Sequence, residues 1–361
     1  MHLTYLQAVV IGLIQGLTEL FPISSLGHVV LVPAWLGGSW AALVRQESSP
    51  ESPYLAFVVG LHLATAVVLV AYYWREWRRV IRGLVTSIAR RRVESDEQRL
   101  AWLIVVATIP VGIAGLALEH TFRVLFAKPV AAAVFLAVNG GILFLGERYW
   151  RRERRPAPVP AAYPSPAGRP AAVPVTVPAP RPGDLAGNDL AGNDPPGNDP
   201  PAPPPGPGGG SAGDGRDDDG RDDDEMIDLD AQRRLAGVGL ISALWIGAAQ
   251  VLALFAGISR EGVTMVGGLA RGLSHEDAMR FSFLLSTPVI LAAGLVKLPD
   301  LAGPLGHGIR GPVLAGSAAA AATSLLAVVF LARYFRTRTL TPFAIYCLAA
   351  GLVSIIRFTV W

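Results

Sequence analysis

Glu19, Pro22, Ser24, Ser25 and His28 fall inside a run that is otherwise apolar, Gln15-Gly-Leu-Thr-Glu19-Leu-Phe-Pro22-Ile-Ser24-Ser25-Leu-Gly27-His28. A carboxylate at such a place offers a general base or a hard ligand for a divalent cation. Pro22 stops one helix, and a serine just after it can cap the free N–H groups of the next. A helix N-terminus exposed at the break attracts phosphate. His28 stands at i+3 from Ser25, on the same helical face. A second cluster, Gly257-Ile258-Ser259-Arg260-Glu261-Gly262, interrupts another apolar run. Its glycines permit a tight turn with close backbone approach. Ser259 adds a hydroxyl, and Arg260 a planar fork matched to phosphate oxygens.

Each of these residues also has a structural reading. A serine in a membrane helix often bonds back to the preceding turn. Glu19 and Arg260 could form a buried ion pair without catalytic work. His62, alone in Leu61-His62-Leu63 on an apolar helix, is assigned to packing, and Glu147 is assigned to a solvated interface. For Glu19, Ser25, His28 and Arg260 together the functional reading prevails, because ionisable groups that cluster at membrane depth are costly to keep there.

The elements that must hold these residues are membrane helices. The 361-residue chain is 52% hydrophobic and 16% charged. Apolar segments occupy 3–20, 23–37, 53–74, 99–118, 129–147, 235–256, 259–271, 277–298, 311–332 and 340–360. Several approach the roughly 20 residues that cross a hydrocarbon core. No alternating strands of a barrel appear. Cys347 is the one cysteine, which excludes a disulfide framework or a cysteine metal site. Retention of the N-terminus is expected, since the first residues lack a basic start and a cleavage site. The net charge of +3 is not a nucleic-acid signature, because its arginines flank hydrophobic segments.

Those arginines set the topology. Basic loops at 75–92 and from Arg148 to Arg155, and the group Arg333, Arg336 and Arg338, mark the cytoplasmic side. Counting spans back from Arg333 puts 271–277 on that side as well. Segment 235–271 must then enter and leave by the same face, as a re-entrant hairpin with its apex near Gly257–Arg260. Segment 3–37, broken at Pro22, reads as a second hairpin entering from outside.

The two hairpins resemble each other at one constant offset. Ile11, Gly12, Gln15, Leu17, Ile23, Ser24 and Gly27 match Ile246, Gly247, Gln250, Leu252, Ile258, Ser259 and Gly262 without a gap. Entry from opposite faces makes this an inverted repeat, a design that brings broken helices together at the midplane. The predicted fold is an all-α polytopic membrane protein of inverted-topology repeats, with two re-entrant hairpins and about six spanning helices. The first repeat covers 1–150 and the second 233–361. Between them, 151–232 is rich in Pro, Gly and Asp and carries Gly-Arg-Asp-Asp-Asp twice. It is too polar to offset the entropy of ordering, and is expected to be a disordered cytoplasmic insert.

At these residues the chain resembles the bacterial undecaprenyl-diphosphate phosphatases linked to bacitracin resistance. The resemblance rests on the run from Gln15 to His28 and on Gly257-Ile-Ser259-Arg260. Leu61-His62-Leu63, Ala107-Thr-Ile-Pro110 and Arg280-Phe-Ser-Phe-Leu-Leu-Ser-Thr-Pro288 also carry it. It spans the chain apart from the insert. It implies a multi-pass protein of the bacterial cell membrane with its site opening to the outer face. It further implies removal of the terminal phosphate of a polyprenyl diphosphate, aided by a divalent cation, Mg²⁺ or Ca²⁺.

Residue by residue, the resemblance gives Glu19 the second carboxylate of the acidic motif, with Gln15 at the first position. Ser25 and His28 take the positions of the catalytic serine and histidine, and Arg260 that of the phosphate-binding arginine. Ala256 replaces the usual proline before the glycine, and Glu261 the usual serine after the arginine. Glu261 either adds a carboxylate near the site or turns away toward Arg271. On this reading Glu19 holds the metal, with Gln15 as a second candidate ligand. Ser24, Gly257, Ser259 and Arg260 bind phosphate. Ser25 is the nucleophile with His28 as base or acid, or else water attacks after activation at Glu19 or His28. The expected partners are the lipid substrate, the bilayer and a second copy of the chain. The alternative is a transporter that carries polyprenyl phosphate through the same anion site.

Overall fold

In the computed structural model, residues 3–45, 53–126, 128–153, 229–303, 306 and 308–360 are described. The expected insert falls almost wholly on 154–228, outside the described residues. Helix continues to Glu153 and is present again from Leu229.

The described residues form helices joined by short turns and links, without strands. The first half comprises α1 (Tyr5–Leu20), α2 (Ser25–Leu36), α3 (Gly38–Arg45), α4 (Pro53–Tyr72), α5 (Trp74–Arg90), α6 (Asp96–Phe126) and α7 (Pro129–Glu153). The second comprises α8 (Leu229–Ala236), α9 (Leu240–Ala249) with a 3-10 turn over Gln250–Leu254, α10 (Arg260–Leu269), α11 (His275–Ala302), α12 (Arg310–Tyr334) and α13 (Thr341–Val360). Within α6, α7, α11, α12 and α13 lie five stretches long and apolar enough to cross a membrane. At 20 residues, α4 also reaches the span length of about 30 Å.

Three expectations need correction. The basic loop at 75–92 is helix α5, turned 86° from α4. Its hydrophobic residues recur at helical spacing between the arginines, a pattern that net charge conceals. The apolar segment opening at 235 is divided at residues 237–239, with α8 and the helix after it bent by 92°. Glu147 is not solvated. It is buried, and it accepts from His275 Nε2 at 2.7 Å, Arg151 Nε at 2.8 Å and the Leu340 N–H at 3.3 Å. A carboxylate with that many donors tolerates burial.

The packing shows the inverted repeat directly. A Cβ on Gly140 of α7 would strike the Leu348 nitrogen at 2.7 Å and the Ala344 oxygen at 2.8 Å. Reciprocally, a Cβ on Gly351 of α13 would strike the Ala137 nitrogen at 2.6 Å and the Ala133 oxygen at 2.8 Å. Ala133, Ala137 and Gly140 thus stand to α13 as Ala344, Leu348 and Gly351 stand to α7. Partners that exchange roles in this way are related by a local twofold axis, and the register runs antiparallel. Replacing Gly140 by Val should cost about 1–3 kcal/mol through overpacking at this axis. The loss would be read as a lowered unfolding midpoint in detergent.

Each hairpin packs on a helix of the other repeat. Gly12 and Gly16 of α1 meet the backbone carbonyls of Gly316 and Ala320 on α12, so the two helices run parallel. Since α12 ends at Arg333, α1 starts on the opposite side from that arginine, as the topology argument expected. In the second hairpin Gly247, the counterpart of Gly12, meets the Ala107 carbonyl on α6.

Candidate active site at the junction of the two hairpins

The break in the first hairpin follows from its residues. After Leu20 the chain turns extended at Phe21, with φ −71° and ψ 144°, and Pro22 has no N–H to continue the helix. Ser24 then takes φ 69°, a costly conformation for a residue with a Cβ. That geometry aims its hydroxyl at two N–H groups. The Ser24 Oγ caps α2 by accepting from Gly27 N at 3.2 Å, and it accepts from Gly257 N of the other hairpin at 3.2 Å.

The second break repeats the plan. Ser259, the counterpart of Ser24, caps α10 by accepting from Gly262 N at 3.1 Å. Gly257 has φ 112° and lies against α7, where a Cβ would meet the Leu136 nitrogen at 2.6 Å. Only glycine fits there without displacing that helix. Asn139 of α7 ties the two apices together. Its side chain donates to the Pro22 carbonyl at 3.0 Å and accepts from Ser259 N at 3.0 Å. The paired helix starts, α2 and α10, therefore converge at one buried point.

Glu19 is the hub of the site. Its Oε2 accepts from Gln15 Nε2 at 3.0 Å, from His62 Nε2 at 3.2 Å and from the Ser25 hydroxyl. Its Oε1 is 4.0 Å from Arg260 Nη1, a loose approach rather than a closed ion pair. The same Arg260 nitrogen is buried and has no hydrogen-bond partner among the described residues. A guanidinium N–H left unsatisfied in a buried place is costly, and an anion would satisfy it.

His28 stands apart from Ser25. Its Nδ1 is 2.7 Å from the Ser24 carbonyl, so that nitrogen is assigned the proton. Its Nε2 then accepts from the Tyr346 hydroxyl at 2.7 Å, and the two rings stack. Glu19, not His28, is thus the group in contact with the Ser25 hydroxyl. Ser24 and Gly257 spend their polar groups joining the hairpins, and Ser259 caps α10. Of the residues expected to bind phosphate, Arg260 has a buried side-chain nitrogen without a hydrogen-bond partner among the described residues.

Three contributors escaped the sequence reading. His62, assigned to packing, donates to Glu19 and has its other ring nitrogen 2.8 Å from the Val58 carbonyl. Asn139 was a lone amide in an apolar helix, and Tyr346 one aromatic among many. Leu61-His62-Leu63 was the available signal for His62. Glu261 turns inward and is buried, while Arg271 is exposed.

For a divalent cation, no group of three His, Cys, Asp or Glu side chains gathers among the described residues. The Gln15 Oε1 atom is nevertheless buried without a partner beside Glu19. One carboxylate and one amide oxygen fit a Mg²⁺ or Ca²⁺ ion that takes its remaining ligands from phosphate and water.

Comparison with known proteins gives the family. Residues 8–162 and 223–353 match the family described as bacitracin resistance protein BacA, with a gap across the insert. Undecaprenyl-diphosphatase 2 of Frankia alni is 55% identical over 376 residues, covering 100% of both chains. Undecaprenyl-diphosphatase of Mycolicibacterium paratuberculosis is 50% identical, covering 98% of this chain and 97% of its own. The enzyme of that name from Granulibacter bethesdensis is 35% identical over 96% of this chain and 94% of its own. With the apices of both hairpins inside the matched residues, the chain belongs to the bacitracin resistance protein BacA family.

Proposed function

We propose that this chain hydrolyses undecaprenyl diphosphate to undecaprenyl phosphate and inorganic phosphate, at a site facing the outer leaflet. The observation that carries the reading is the buried, unsatisfied Arg260 Nη1 beside a Ser25 hydroxyl already bonded to a carboxylate. Arg260 and the start of α10 bind the terminal phosphate, where the helix dipole favours negative charge. Glu19 and Gln15 would hold a divalent cation, which supplies neutralisation of the phosphate oxygens when bound.

Ser25 attacks the terminal phosphorus, and its proton passes to Glu19 Oε2. The bond from phosphorus to the bridging oxygen breaks, and the lipid monophosphate leaves. Water then attacks the phosphoserine, releasing inorganic phosphate and returning the proton to Ser25. His62 fixes the Glu19 carboxylate. His28 is a positioning residue that ties the first turn of α2 to Tyr346 of α13. The outer-leaflet placement rests on α1 starting opposite the arginine-rich side.

One observation keeps transport in view: each hairpin packs on the other repeat, an arrangement shared with secondary transporters. The purified chain should release inorganic phosphate and form lipid monophosphate, and a chelator should stop both. Ser25→Ala protein in vesicles should neither cleave the diphosphate nor move polyprenyl phosphate across. Flux without cleavage would make transport the function.

A further inference from the structure

The arm formed by α5 plays no part in the site described above. It leaves α4 at 86°, and α4 is long enough to cross the bilayer, a geometry that would lay α5 along the membrane surface at the arginine-rich end. It is held rigidly to the protein. Glu76 pairs with Arg280 of α11 at 3.0 Å. The Ser87 hydroxyl accepts from Trp102 Nε1 at 3.0 Å, and the Thr86 hydroxyl from Gln98 Nε2 at 3.2 Å, both on α6.

At about 100° per residue its side chains sort into three stripes, not two. Glu76, Val80, Gly83 and Ser87 are buried against the protein. Trp74, Ile81, Val85 and Ile88 form a second stripe, each more than half exposed. Arg75, Arg78 and Arg82 are exposed along a third, between the other two. A helix that met only water on its free side would have no use for the apolar stripe. One buried in lipid could not keep the basic stripe.

We propose that α5 is an interfacial arm that binds anionic phospholipid. Trp74, Ile81, Val85 and Ile88 enter the acyl boundary, and Arg75, Arg78 and Arg82 hold the phosphate headgroups above it. The apolar and basic stripes lie about 80° apart and each about 140° from the buried one, so one roll of the helix turns the apolar stripe into the lipid with the arginines beside it at headgroup level. Charge complementarity selects the occupant, because three exposed arginines on a surface-lying helix match an anionic leaflet.

The test uses the full chain in phosphatidylcholine nanodiscs containing phosphatidylglycerol. Cys347 is buried, so a nitroxide can be placed at Ile81→Cys or Arg82→Cys. The label at 81 should collide with oxygen and be shielded from an aqueous nickel chelate, and the label at 82 should behave oppositely. In native mass spectrometry, phosphatidylglycerol should bind more tightly than phosphatidylcholine. That preference should fall about fivefold for each of Arg75, Arg78 and Arg82 changed to Gln. The triple Arg→Lys protein should keep it, which separates lost charge from lost folding. Nickel access at 81 equal to that at 82 would place the apolar stripe in water, open to a protein partner, and overturn the proposal. Equal affinity for the two lipids in the unaltered chain would overturn it as well.

Discussion

Replacing Glu19 by Gln should lower kcat/KM for undecaprenyl diphosphate by about 10³, within the range expected for loss of a positioned general base. The amide keeps the size of the side chain but is a weaker acceptor and carries no charge. It can no longer take the Ser25 proton or balance Arg260. Glu19 accepts from Gln15, His62 and Ser25 at once, so Glu19→Ala should be worse in a second respect. It strips the acceptor from three donors, the buried Gln15 and Ser25 and the partly buried His62, a loss on the order of 3 kcal/mol. Phosphate release, with the unfolding midpoint in the same detergent, separates the two effects. Activity lost with the midpoint unchanged is expected for Gln, and both lost for Ala.

Arg260→Ala should show the complementary pattern, a fall of about 10²–10³ in kcat/KM with little change in stability. The side chain approaches Glu19 only to 4.0 Å and leaves Nη1 without a hydrogen-bond partner. Its removal therefore takes little from the folded protein, while it removes the fork that meets the terminal phosphate. Arg260→Lys should recover part of the activity, because an ammonium supplies charge without the bidentate geometry. Full activity in Arg260→Ala would mean that the two helix starts bind the phosphate unaided.

Much of the fold was legible in the sequence because its signals are local. Apolar length marks the spans, Pro22 and Gly257 mark the breaks, and arginine clusters mark one face. The constant offset between the hairpins was borne out in detail, since Ser24 caps Gly27 as Ser259 caps Gly262. What stayed hidden depends on contacts between distant segments. His62 could not be told from a packed histidine until α4 was placed beside α1. Asn139 gains its meaning only where both apices meet α7. His28 was linked to Ser25 by helical spacing, but its ring turns to Ser24 and Tyr346, one turn back and across to α13. Net charge hides the regular apolar stripe of α5, so that by sequence its run of arginines resembles a loop.

The most direct measurement is inorganic phosphate release from undecaprenyl diphosphate by the purified chain, run beside Ser25→Ala and Arg260→Ala proteins of matched stability. One phosphate released per lipid by the unaltered chain, and release reduced at least a hundredfold in both variants, is the predicted result. Release at the unaltered rate in both variants would contradict chemistry at the hairpin junction, and no release from the folded, unaltered chain would contradict hydrolysis itself.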